Sequence, residues 1–97
     1  MINVTVNFTV AADDRPSAVA CLQQEAPQMR ALPGNRAVQV LVAPDDAGAV
    51  TLLHQWDDMA SFDAYRAGPL FAKVGGVLRP MMTGKPRTDV YDAELLN

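Results

Sequence analysis

The chain predicts an α+β fold: a four-stranded antiparallel sheet with its helices on one side. Residues 3–10 alternate strictly between apolar and polar side chains. Two further alternating runs flank a Pro-Asp-Asp-Ala-Gly turn at 44–48, and helical spacing takes over at 18–29 and again at 59–82. Strands and helices in that order bury their apolar faces together only as two stacked layers.

Each element has its own signal. The first strand, Asn3 to Val10, puts Val4, Val6, Phe8 and Val10 on one face and Asn3, Thr5, Asn7 and Thr9 on the other. Asp13 or Asp14 caps a helix with Pro16 in its first turn, followed by Ala18, Val19, Leu22, Ala26 and Met29 at helical spacing. Pro27 lacks the amide that residue 23 needs, which predicts a kink or a stop, and Pro33-Gly34 forms the turn that follows. Residues 36 to 43 form a second strand carrying Val38, Val40 and Val42, and Val50 to Trp56 a third, with Val50, Leu52, His54 and Trp56 sharing a face. Asp57 or Asp58 caps a short helix that presents Met59, Phe62 and Tyr65 and ends near Gly68. Pro69 opens another helix with Leu70, Val74, Val77 and Met81 as its apolar stripe. Ala72, Gly75, Gly76 and Arg79 lie beside that stripe. Two helical glycines cost roughly 1 kcal/mol each relative to alanine, so they point to close packing or room for a ligand. Arg87 to Glu94 completes the order β, α, β, β, α, β, the ferredoxin-like arrangement, with the second α split in two.

Composition narrows the function classes. The chain has 97 residues, 49% of them hydrophobic and 20% charged, which makes one domain, 1–97, of a size whose core is only modestly stable alone. A homodimer would relieve that, and the open edges of a four-stranded sheet favour one. The formal charge is −3 and no Lys/Arg run tracks a phosphate backbone, so no nucleic-acid partner is expected. Arg66, Lys73, Arg79, Lys85 and Arg87 nonetheless crowd one region, which suits an anionic small ligand or a solvated face. The first ten residues lack the continuous apolar block of a signal peptide or membrane span, so the expectation is a cytoplasmic chain with no membrane partner. With one cysteine, Cys21, and one histidine, His54, no disulfide and no metal site are expected. Cys21 reads as a small core filler.

Trp56-Asp57-Asp58, then Phe62-Asp63-Ala64-Tyr65, then Gly68-Pro69-Leu70-Phe71 resemble the signature of the antibiotic biosynthesis monooxygenase domain family. Pro33-Gly34 and the Leu78, Pro80, Met82, Gly84, Pro86 ending fall where that family has them, so the resemblance spans the chain. It implies a dimeric α/β barrel, a small-molecule substrate and, in the oxygenase branch, chemistry without cofactors. Aromatic polyketide oxygenases of the family combine a strand-three Trp with an Asn, a Tyr and an Arg. Here Trp56 keeps its place, while the other positions read Leu52, Phe62 and Lys73. The paired histidines of the quinol-oxidising branch correspond to Tyr65 and Leu70. Haem-degrading members match only at Asn7, with Tyr65 and Gly75 replacing a Trp and the axial His, so no haem is implied.

The candidate catalytic residues are His54, Trp56 and Tyr65, and the candidate substrate-binding residues are Asn7, Phe62, Phe71, Lys73 and Arg79. In cofactor-free oxygenation an electron-rich phenol, quinol or enol loses a proton and its anion reduces O₂, so the protein supplies an apolar cavity and a few polar groups. His54 has the unperturbed pKa suited to a base near neutral pH. Each residue also has a structural reading: Trp56 as a packing anchor, His54 as a core or interface histidine, Tyr65 at a helix end, and Lys73 and Arg79 in solvent. Asn7 reaches a cavity only if the Thr-bearing face of its strand looks at the helices, which parity leaves open. The alternatives to an enzyme are a non-catalytic binder of a small ligand and a structural module, the last with no enclosed cavity.

Overall fold

The structure, a computed structural model, describes residues 1–97. Strand β1 spans Ile2–Thr9, β2 Asn35–Val42, β3 Ala49–Trp56 and β4 Arg87–Asp92. The helices are α1 (Arg15–Arg30), α2 (Met59–Arg66) and α3 (Pro69–Leu78). The sheet is antiparallel throughout in the order β2-β3-β1-β4, the ferredoxin-like topology. Helix α1 packs on β2 and β3 and against α3, while α2 bridges β3 and α3.

Parity settles which face is covered. Val4, Phe8 and Val10 are buried with Val38, Val50, Leu52 and Trp56 against Ala18, Leu22, Ala26 and Met29 of α1, Phe62 and Tyr65 of α2, and Val74 and Leu78 of α3. The other face is uncovered. There Asn7 lies between Thr51 and Arg87, and Thr5 between Leu53 and Asp89. Exposed Leu41 and Tyr91 belong to the same open face.

The start of α2 forms as the sequence predicts. Asp58 is extended (φ −155°, ψ 172°) and its Oδ1 accepts the Ser61 amide at 2.8 Å. That hydrogen bond stabilises the ionised carboxylate, holding its pKa below the ordinary aspartate value. Beneath it, Gly34 has φ +81°, a conformation that L side chains avoid, and its carbonyl accepts the Asp57 amide at 2.8 Å. The Pro33-Gly34 turn is thereby tied to the end of β3.

Two local details differ at α1. The helix does not stop at Pro27 but continues to Arg30. Ala26 and Met29, on either side of the proline, are both buried, and this tertiary packing offsets the one missing amide. Neither Asp13 nor Asp14 caps the helix with its side chain, because a 3-10 turn over Ala12–Asp14 leads directly into it. Val77 is also more exposed than its place in the stripe suggests, at 44%.

Candidate functional site

Between the covered sheet face and α2–α3 lies a cavity of about 220 Å³. A cavity of roughly 150 Å³ lined by aliphatic and aromatic groups can hold benzene, so this one has room for a substituted ring or a compact bicycle. A structural module with a filled core has no such space. Its buried walls are Leu22, Leu52, His54, Phe62 and Tyr65, with Val74 and Leu78 from α3, and half-buried Phe71 completes the aromatic side. Its rim is exposed: Arg66, Arg79, Pro86 and Thr88.

The aromatic groups converge because only Asp57 and Asp58 separate β3 from α2. The His54 ring lies 5.6 Å from both Phe62 and Tyr65, and Tyr65 meets Phe71 edge-on at 5.6 Å, measured between centroids. On the sheet, His54 sits between Val4 and Val38. Trp56 is placed behind this layer instead of in it: 1% exposed and stacked on Tyr65 at 5.2 Å, it does not line the cavity. Its indole Nε1–H donates to His54 Nδ1 at 2.6 Å.

Burial also sets the protonation states. It lowers the His54 pKa to about 4, and it raises that of Tyr65 to about 12. At neutral pH both groups are uncharged. A base role for His54 has this burial against it, since the ring resists protonation and Nδ1 is already engaged. Neither Tyr65 Oη nor His54 Nε2 has a partner within the chain, and neither is sealed off, because Glu25 Oε2 is the one fully buried side-chain oxygen or nitrogen left unpartnered. His54 lines this cavity, whereas Tyr65 borders both it and a second hollow beside Leu32, Ser61 and Leu70.

The rim cations differ in their commitments. Arg66 is paired with Asp63 at 2.7 Å, and its guanidinium lies 4.4 Å from the centroid of Phe62. Arg79 has no ion pair and folds over Gly75, where an added Cβ would lie 3.2 Å from its Cζ. That answers the question raised by one of the two helical glycines.

Two predicted ligand residues are not brought to the cavity. Asn7 points to the open face, where its Oδ1 accepts the Thr51 hydroxyl at 2.5 Å. Lys73 instead bridges to α1, its Nζ 3.0 Å from Glu25 Oε1. Glu25, buried on α1, went unforeseen although it shares the Ala18–Leu22–Met29 stripe. With burial and this carboxylate beside it, the thiol of half-buried Cys21 titrates above its usual value. Leu22 and Leu52 were also missed as cavity residues, though the parity shared by Leu52, His54 and Trp56 carried that signal. Thr88 and Met82 carried none, since Thr88 arrives through the pairing of β4 with β1 and Met82 through an isolated bridge to Val10. No three His, Cys, Asp or Glu side chains come together as a metal-holding group.

Fold and site together define a small α+β domain with an aromatic-walled cavity between sheet and helices. The chain belongs to the antibiotic biosynthesis monooxygenase family, whose model matches residues 1–75, from β1 through most of α3. Arg79, Met82 and Thr88 lie beyond that match. No curated protein matches the chain. Among solved structures it is similar to a protein of Deinococcus radiodurans provisionally described as an antibiotic biosynthesis monooxygenase, with TM-score 0.90, 18% identity and coverage of 100% of this chain and 97% of that one. A similarly described protein of Nitrosomonas europaea gives TM-score 0.89 and 16% identity over 96% and 98% of the two chains. Rv0793 of Mycobacterium tuberculosis gives 0.86 and 21% over 99% and 96%. At such identities these likenesses show the fold. No helix is long and apolar enough to cross a membrane.

Proposed function

We propose that the protein is a cofactor-independent monooxygenase acting on a small aromatic, quinol or polyketide-like metabolite, and that it works as a homodimer joined through the open sheet face. The observation that carries this reading is the apolar, aromatic-walled cavity lined by His54 and Tyr65, with His54 Nε2 left without a partner in the chain, in a protein of this family. The ring of the substrate lies among Phe62, Tyr65 and Phe71. Its oxygen meets Tyr65 and His54, and Arg79 offsets negative charge at the rim. Stabilising the oxyanion in this dry site lowers the substrate's own pKa, and the proton leaves to solvent past the rim. The carbanion form transfers one electron to O₂, the resulting radical and superoxide join as a carbon-bound peroxide anion, and a proton taken back from solvent makes it a hydroperoxide. Loss of water then leaves a carbonyl, so that CH₂ and O₂ become C=O and H₂O.

The test is O₂ uptake by the purified protein with a panel of anthrones and hydroquinones. Protein-dependent uptake, reduced at least about tenfold in Tyr65→Phe or Arg79→Gln, is the expected result. No uptake beyond the uncatalysed rate across the panel would overturn the reading. A second reading, a non-catalytic binder of the same ligand class, is favoured by one observation: neither His54, titrating at about 4, nor Tyr65, at about 12, serves as a base at neutral pH. Saturable binding without O₂ uptake would select it.

A further inference from the structure

The contact between Trp56 and His54 fixes more than ring orientation. An indole nitrogen can only donate, so His54 Nδ1, 2.6 Å away, must accept and carries no proton. A neutral imidazole has one N–H, and here it is on Nε2. That nitrogen has no partner in the chain, and His54 lines the cavity. Residues two apart on one strand share a face, so β3 itself delivers both members of the pair. The rings meet edge-on at an interplanar angle of 89°, and Trp56 is pinned by its stacking on Tyr65. The opposite tautomer would set an Nδ1–H against the indole N–H and leave both protons without an acceptor.

We infer that Trp56 is a positioning residue that locks His54 as an Nε2–H donor, so that the cavity selects ligands presenting a carbonyl or oxyanion oxygen at its inner end. The ligand class is then a compact aromatic ketone or its enolate, in preference to a hydrocarbon of equal size. A hydrocarbon would leave the His54 Nε2–H without an acceptor, whereas a carbonyl oxygen offers it a lone pair. This inference rests on the cavity being the ligand site named above, but not on catalysis there.

The experiment uses the whole chain and two probes differing only in one carbonyl, 1-tetralone and tetralin. Long-range ¹H–¹⁵N correlation spectra report the His54 tautomer directly, and the same samples give both affinities by titration. The wild type is expected to show a single Nε2–H tautomer and to bind tetralone about tenfold or more tighter than tetralin. Trp56→Phe should mix the tautomers and shrink that ratio, with tetralin affinity held within a few-fold. Should Trp56→Phe fail to fold, His54→Leu, which keeps an apolar side chain in place, should abolish the preference. An Nδ1–H or doubly protonated His54 in the wild type would overturn the inference, as would equal affinities or no tetralone binding. A negative O₂-uptake assay removes the oxygenase reading and leaves these outcomes untouched, so the two failures are distinguishable.

Discussion

His54 shows how one residue's surroundings outweigh its intrinsic chemistry. In the unfolded chain it takes up a proton near pH 6.5; in the fold, burial delays this to about pH 4. Between those values the unfolded state binds more protons, so stability falls as the pH falls and levels off below about 4. The full span is worth about 3 kcal/mol. Of the rings packed on His54, only Tyr65 titrates, at about 12, so it does not contribute in this window. Urea unfolding at several pH values should therefore show a steeper acid loss for the wild type than for His54→Gln. Identical slopes would refute the burial argument. Sequence alone identifies the residue, its strand face and its neighbour Trp56. It does not reveal the indole–imidazole bond, because periodicity places side chains on faces without orienting rings.

At the scale of elements, α3 carries a conflict between helix stability and ligand seating. Gly76 has open space where a Cβ would go, whereas Gly75 lies under the Arg79 guanidinium. Gly76→Ala should stabilise the protein by about 0.5–1 kcal/mol without altering ligand affinity. Gly75→Ala should stabilise it comparably, since the guanidinium is a flexible chain end that can move. It should also weaken binding of a carboxylate-bearing aromatic, such as a naphthoate, several-fold. Thermal unfolding alongside naphthoate titration checks both, and equal affinities in the two variants would remove the seating argument. Most elements were legible because their periods are long and their breakers fall between them. Pro27 misled because a local rule about one amide was overridden by the burial of Ala26 and Met29, a tertiary effect. Lys73 and Arg79 looked alike in the sequence, and only the packing of α1 on α3 separates an exposed lysine paired with buried Glu25 from a free guanidinium.

For the whole molecule, the decisive asymmetry lies between the two faces of the sheet. One face is filled by helices, and the other leaves Leu41, Leu53 and Tyr91 uncovered among Thr and Asn side chains. If copies join there, light scattering should give a mass twice the 10.4 kDa of the chain at micromolar concentration. Leu53→Arg should return that mass to a monomer's, while a monomeric wild type would refute the interface.

The strict alternation of β3 has a last consequence. His54 and Trp56 face inward, and Leu53 and Gln55 between them face outward. Cavity and open face are thus written on one strand in interleaved letters. Inserting a single residue between Ala49 and Leu53 would turn the whole frame over, sending Leu53 and Gln55 inward and exposing the imidazole and indole. Inserting two would restore it. The two surfaces are consequently not free to vary in length independently: the strand tolerates changes in pairs, and a step of one loses the cavity and the open face together.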